Sequence, residues 1–87
     1  MGFEVLRSKK GGYVKNDVIM KLDALNALIL ALENGMPREQ AYAELKKTEQ
    51  IVLRKEKGGL FGASGFDTGD TDAYIADLTA KIEDLIR

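Results

Sequence analysis

The feature that most limits what this chain can fold into is an internal repeat. Val5 to Gly12, Val-Leu-Arg-Ser-Lys-Lys-Gly-Gly, recurs as Val52 to Gly59, Val-Leu-Arg-Lys-Glu-Lys-Gly-Gly, at an offset of 47 with six of eight residues identical. Beyond it the offset becomes 53, so that Gly12-Tyr13-Val14-Lys15-Asn16-Asp17 aligns with Gly65-Phe66-Asp67-Thr68-Gly69-Asp70 and the second copy carries a six-residue insertion. Each copy reads as a strand or turn, a glycine-aromatic step and a helix. Neither copy can bury an apolar helix face alone, so the two must cover each other or a second chain.

The helices carry the same repeat. Val18, Leu22, Leu25, Ile29 and Leu32 follow the alternating four-three spacing of a coiled-coil seam, and adding 53 gives Thr71, Ile75, Leu78, Ile82 and Leu85. Two heptads also suit an ordinary amphipathic bundle helix. The first helix is expected over residues 17–34, with Asn16 as N-cap and Gly35 in the left-handed position after its end. Met36-Pro37 opens a second helix at about 37–50, because proline at the first helical position gives up only a hydrogen that would be unpaired there. The third runs from Thr68 or Asp70 to the end of the sequence. No C-cap follows it, which suggests that the natural chain continues past Arg87. Residues 3–7 alternate like a half-buried strand, with 50–54 as the expected partner. The fold class is therefore mainly α: three helices with coiled-coil-like seams and a short two-stranded β-ribbon. A single domain, 1–87, is built of two repeat-like halves, 3–34 and 50–87, joined by the second helix.

Composition excludes several chemistries. The 87 residues contain no cysteine and no histidine, which removes disulfides, zinc clusters, thiol catalysis and any Ser-His or Cys-His pair. A net charge of −1 gives no bulk attraction for nucleic acid. The most apolar run, Val18 to Leu32, is broken by Lys21, Asp23 and Asn26 and falls short of a membrane span. Gly58 to Gly65 lies between strand and helix like a phosphate loop but lacks both Gly-x-Gly-x-x-Gly and Gly-Lys-Ser/Thr. Asp67, Asp70, Asp72 and Asp77 are not spaced as a calcium loop and read better as acids at a helix start. Asp23, Asp77 and Glu83 have no neighbour in the sequence that would raise a carboxyl pKa for acid-base work. The expectation is a non-enzyme with no cofactor and no metal, located in the cytoplasm or at the inner face of the membrane.

At Gly65-Phe66-Asp67-Thr68-Gly69-Asp70-Thr71-Asp72-Ala73-Tyr74-Ile75 the chain resembles the N-terminal domain of the DivIVA/GpsB family of bacterial cell-division and polar-growth scaffolds. That family's signature is a glycine-aromatic turn, an acid, usually Val-Asp, and an aromatic-aliphatic pair on a coiled-coil helix; Thr71 replaces the usual valine. Gly12-Tyr13-Val14-Lys15-Asn16-Asp17-Val18 keeps the turn, acid and valine but has Ile19 and Lys21 where the pattern has an acid and an aromatic. The resemblance covers residues 61–87 well and 3–34 loosely. It implies a self-associating scaffold or adaptor that recruits cell-division or cell-envelope proteins by binding their basic peptide segments. Tyr13, Asp23, Phe66 and Asp72 are the implied partner-binding residues, with Phe66 and Asp72 in one groove.

For association, Val18, Leu22, Leu25, Ile29, Leu32, Ile75, Leu78, Ile82 and Leu85 are the expected oligomerisation residues. A homodimer or higher oligomer is favoured because a lone three-helix unit would leave Leu28, Leu30 or Ile86 facing water. A pseudo-dimer formed within one chain is the other arrangement. The alternative function is a peripheral membrane module, in which Leu60 and Phe61 insert into an anionic surface beside Arg54, Lys55 and Lys57.

Overall fold

The computed structural model describes residues 6–58 and 62–87. In chain order the elements are β1 (Ser8–Lys10), α1 (Lys15–Glu33), α2 (Arg38–Glu49), β2 (Ser64–Phe66) and α3 (Thr68–Ile86). The molecule is mainly helical with one small antiparallel sheet. Among the described residues no helix is long and apolar enough to cross a membrane.

The two glycine-aromatic steps meet face to face. Tyr13 N–H donates to the Phe66 carbonyl and Phe66 N–H to the Tyr13 carbonyl, each at 2.9 Å. Beside this bridge Gly12 and Gly65 bring the two backbones so close that a Cβ at either would collide with the carbonyl oxygen of the opposing aromatic residue. Around it the bonds are reciprocal. Asp67 N–H donates to the Arg7 carbonyl at 2.7 Å, and Val14 N–H to the Arg54 carbonyl at 2.8 Å. Each arginine then holds the helix start of the other copy. Arg7 donates from its main-chain N–H (3.1 Å) and from Nε (2.9 Å) and Nη2 (3.0 Å) to the Asp70 carboxylate. Arg54 does the same to Asp17 at 3.0, 2.9 and 2.9 Å. Arg7 and Arg54 occupy matching positions in the repeat, as do Asp17 and Asp70, so the copies are joined crosswise by two equivalent clasps.

From this head α1 and α3 run side by side in the same direction. Val18 and Leu22 share one apolar cluster with Phe66, Tyr74 and Ile75, and Leu28 and Ile29 share the next with Ile82 and Ile86. A parallel pair in one chain needs a return path. From the end of α1, Gly35 at φ +98° turns the chain, α2 leads back along the pair with Ala41 and Leu45 packed into the second cluster, and residues 51–58 complete the return to the head.

Several expectations change. The ribbon pairs Ser8–Lys10 with Ser64–Phe66, with Ser8 opposite Phe66 and Lys10 opposite Ser64, instead of 3–7 with 50–54, because the opposed glycine steps fix which backbones can touch. Residues 50–54 serve as connector, and Arg54 is engaged through both its main chain and its side chain. The N-cap of α1 is Val14 without a side-chain bond. Asn16 lies inside the first turn, and Asp17 turns to Arg54 instead. Asp67 is a side-chain cap, accepting from Asp70 N–H at 2.9 Å. Leu28 and Ile86 are buried, 4% and 2% exposed, whereas Leu30 is 61% exposed. The residues named for oligomerisation mostly bury one another within the chain: Val18, Leu22, Leu25, Ile29 and Ile82 are buried and Leu32, Ile75 and Leu78 partly so, with Leu85 left exposed. Each fully buried aliphatic contributes about 1.5–3 kcal/mol, and here that burial needs no second chain.

Two predictions arise from this packing. Thr71 on α3 is fully buried, 0% exposed, and its hydroxyl has no hydrogen-bond partner. Thr71→Val removes that desolvated group at nearly constant shape and is expected to raise unfolding free energy by about 1–2 kcal/mol in urea denaturation.

The second concerns acid. The Arg54 hydrogen bonds lower the Asp17 carboxyl to about 2, and those of Arg7 lower Asp70 to about 2. An unfolded aspartate titrates near 3.9 or so. The clasps therefore stabilise the fold fully above about pH 4, and their contribution is lost as pH falls from there toward about 2. The urea midpoint followed by circular dichroism should drop across this window in the wild type, and drop less in Asp17→Asn/Asp70→Asn, which starts lower at neutral pH.

Candidate functional site

The crosswise head places Tyr13, from the first copy, against α3 of the second. Its hydroxyl donates to Asp72 Oδ1 at 2.9 Å, and this bond raises the Tyr13 pKa above its ordinary value, with burial adding to the effect. Among the described residues the other carboxylate oxygen of Asp72 has no hydrogen-bond partner and can accept from a ligand. Below this pair an open groove of about 600 Å³ runs along α3. Its α3 wall is Asp72, Ala76, Thr79 and Glu83, spaced so that all four share one helix face. The floor is Ile51, Leu53 and Ile75. Lys21 reaches its edge from α1, with Nζ donating to the Ile51 carbonyl at 3.3 Å. The site thus offers an aromatic ring, two carboxylates, an apolar floor and one tethered cation.

Of the four residues expected to bind a partner, Tyr13 and Asp72 are brought together and Phe66 and Asp23 are not. Phe66 does not line the groove with Asp72. It is 9% exposed among Leu6, Val18 and Leu22, with the Lys15 ammonium 5.3 Å from its ring centre. Asp23 is exposed on α1. The reason is the crosswise pairing: each aromatic step packs on the other copy's helix, so residues close in sequence are separated in space. Glu83 and Thr79 were not expected as site residues. The signal was the i, i+4, i+7, i+11 stripe that starts at Asp72.

The remaining acids of the α3 start have separate duties, with Asp67 on the cap and Asp70 on Arg7. Among the described residues no cluster of three or more carboxylates is arranged to hold a metal. A second cleft, of about 390 Å³, lies between α1 and α2 over Ala24, Ala27 and Ala31. It is largely apolar, and its charged rim residues Glu44 and Lys47 pair with each other at 3.2 Å. Of the expected membrane residues, Leu60 and Phe61 lie outside the described residues, Arg54 is committed to Asp17, and Lys55 and Lys57 are exposed.

The Tyr13–Asp72 bond has its own readout. In ultraviolet titration one phenol should ionise above the ordinary tyrosine value, and Asp72→Asn should remove most of that upward shift. An unchanged titration curve would mean the bond does not persist in solution. No protein-family model, curated protein or solved structure matches this chain.

Proposed function

We propose that this chain is a non-enzymatic scaffold or adaptor of the DivIVA-like kind, which recruits partner proteins by binding their basic segments in the groove headed by Tyr13 and Asp72. The observation that carries the reading is the Tyr13–Asp72 pair poised at the head of an acidic, apolar-floored groove on a parallel helix pair. A guanidinium can stack on the Tyr13 ring and bond the free Asp72 oxygen, while aliphatic neighbours cover Ile51, Leu53 and Ile75. The resemblance in sequence points to cell-division or cell-envelope proteins as the source of such segments. In this reading self-association uses exposed side chains, because most of the seam residues are covered within the chain. The large apolar side chains exposed among the described residues are spread over several elements: Met20 and Leu30 on α1, Tyr42 on α2, Val52 in the connector and Leu85 on α3.

The test is fluorescence anisotropy with a panel of labelled 15-residue peptides that each carry two arginines at varied spacing. Saturable binding that weakens with salt and falls about tenfold in Asp72→Asn, as loss of a charge-assisted hydrogen bond of about 1.4 kcal/mol would give, supports the proposal. Binding unaffected by Asp72→Asn would refute it.

A further inference from the structure

The repeat doubles the groove in principle, since every groove residue of the second helix has a counterpart 53 positions earlier on the first. We infer that only one of the two is a binding site: the chain is monovalent, and its site takes a basic segment whose two cationic side chains stand about five residues apart in extended conformation. This rests on the groove reading above.

The counterparts differ at the residues that matter. On α3 the stripe is Asp72, Ala76, Thr79, Glu83; on α1 the matching stripe is Ile19, Asp23, Asn26, Leu30. Carboxylates stand at both ends of the first and aliphatic side chains at both ends of the second. The aromatic heads diverge as well. Tyr13 is half-buried and presents a hydroxyl bonded to Asp72. Phe66 is nearly buried, has no hydroxyl, and sits beneath the Lys15 ammonium at 5.3 Å, a cation from the chain itself at the ring a ligand cation would use. At the position matching Lys15 the second copy has the short neutral Thr68. The α1 face therefore repels a cationic ligand at its head and offers no anion at either end.

The α3 face fixes the spacing. Asp72 and Glu83 are eleven residues apart, or about 16 Å along the helix at ~1.5 Å per residue. An extended peptide covers that distance in about five residues at ~3.3 Å each. Lys21, tethered to the Ile51 carbonyl on the opposite edge, disfavours a third cation between the two. A partner with uniformly dense positive charge fits less well than one with two separated arginines.

The experiment is isothermal titration calorimetry at low salt, using the tightest peptide of the panel. The wild type should bind one peptide per chain, and peptides with arginines five residues apart should bind at least fivefold tighter than those two apart. Tyr13→Phe/Asp72→Ile/Glu83→Leu, which gives the head and both ends of the α3 groove the residues of their counterparts, should abolish binding with the helical signal intact. Lys15→Thr/Ile19→Asp/Leu30→Glu/Phe66→Tyr, the reverse exchange, should raise the stoichiometry to two. If that variant does not fold by circular dichroism, the wild-type stoichiometry and the first variant decide alone. Two peptides per wild-type chain, or no preference for the five-residue spacing, would overturn this inference and leave the groove reading standing. Absence of saturable binding to every panel member would overturn both.

Discussion

Everything in this molecule depends on the contact between two backbone steps, Gly12-Tyr13 and Gly65-Phe66. Their reciprocal hydrogen bonds require the chains to approach to where a side chain at either glycine could not fit. Once that contact is made, the register of the ribbon follows, and with it the direction in which both helices leave. The arginine clasps consolidate the contact. Each ties the segment that leads into one copy's turn to the helix start of the other, and each aspartate accepts from both the main chain and the side chain of its arginine. Arg7 and Arg54 remain mostly exposed, so the clasps add direction and specificity to a fold whose bulk stability comes from the seams.

A parallel helix pair is ordinarily the product of two chains, because consecutive helices joined by a short loop run antiparallel. Here the connector does the work of covalent dimerisation. It returns the chain to the head, and its helix α2 covers the distal cluster on the way. The same detour breaks the symmetry that the repeat imposes. Ile82 and Ile86 lie in the cluster that α2 joins, while Glu33, the counterpart of Ile86, is exposed. Joining the copies also released them from having to be identical, so one groove can keep carboxylates while the other keeps a buried phenylalanine. In a symmetric homodimer a substitution in one groove is a substitution in both.

The basic residues show what reading along the chain leaves out. Arg54, Lys55 and Lys57 form a local positive run that suggests an anionic surface. Yet Arg54 and Arg7 recur together with Asp17 and Asp70, and a charge pair repeated in both copies is a signal of a contact between them. The seam residues add a second case. Their spacing is that of a two-stranded coiled coil, and within the chain the α1 and α3 seam residues share two apolar clusters. The residues of the candidate site were legible as types and not as a set, since Tyr13 and Asp72 lie 59 positions apart and meet only because the copies cross.

From the sequence alone come the repeat, the number and approximate bounds of the helices, the seam positions and the mainly α class with a small ribbon. These depend on local conformational preference and on apolar periodicity, which are properties of neighbouring residues. The tertiary structure decided which backbone segments pair, that Arg7 serves Asp70 and Arg54 serves Asp17, that the seams close within one chain, and which aromatic heads which helix. Those outcomes depend on how closely two distant segments can approach and on which charges they then bring together. Two copies of one unit carry the same local information, so nothing in either copy says whether it pairs with itself or crosses to the other.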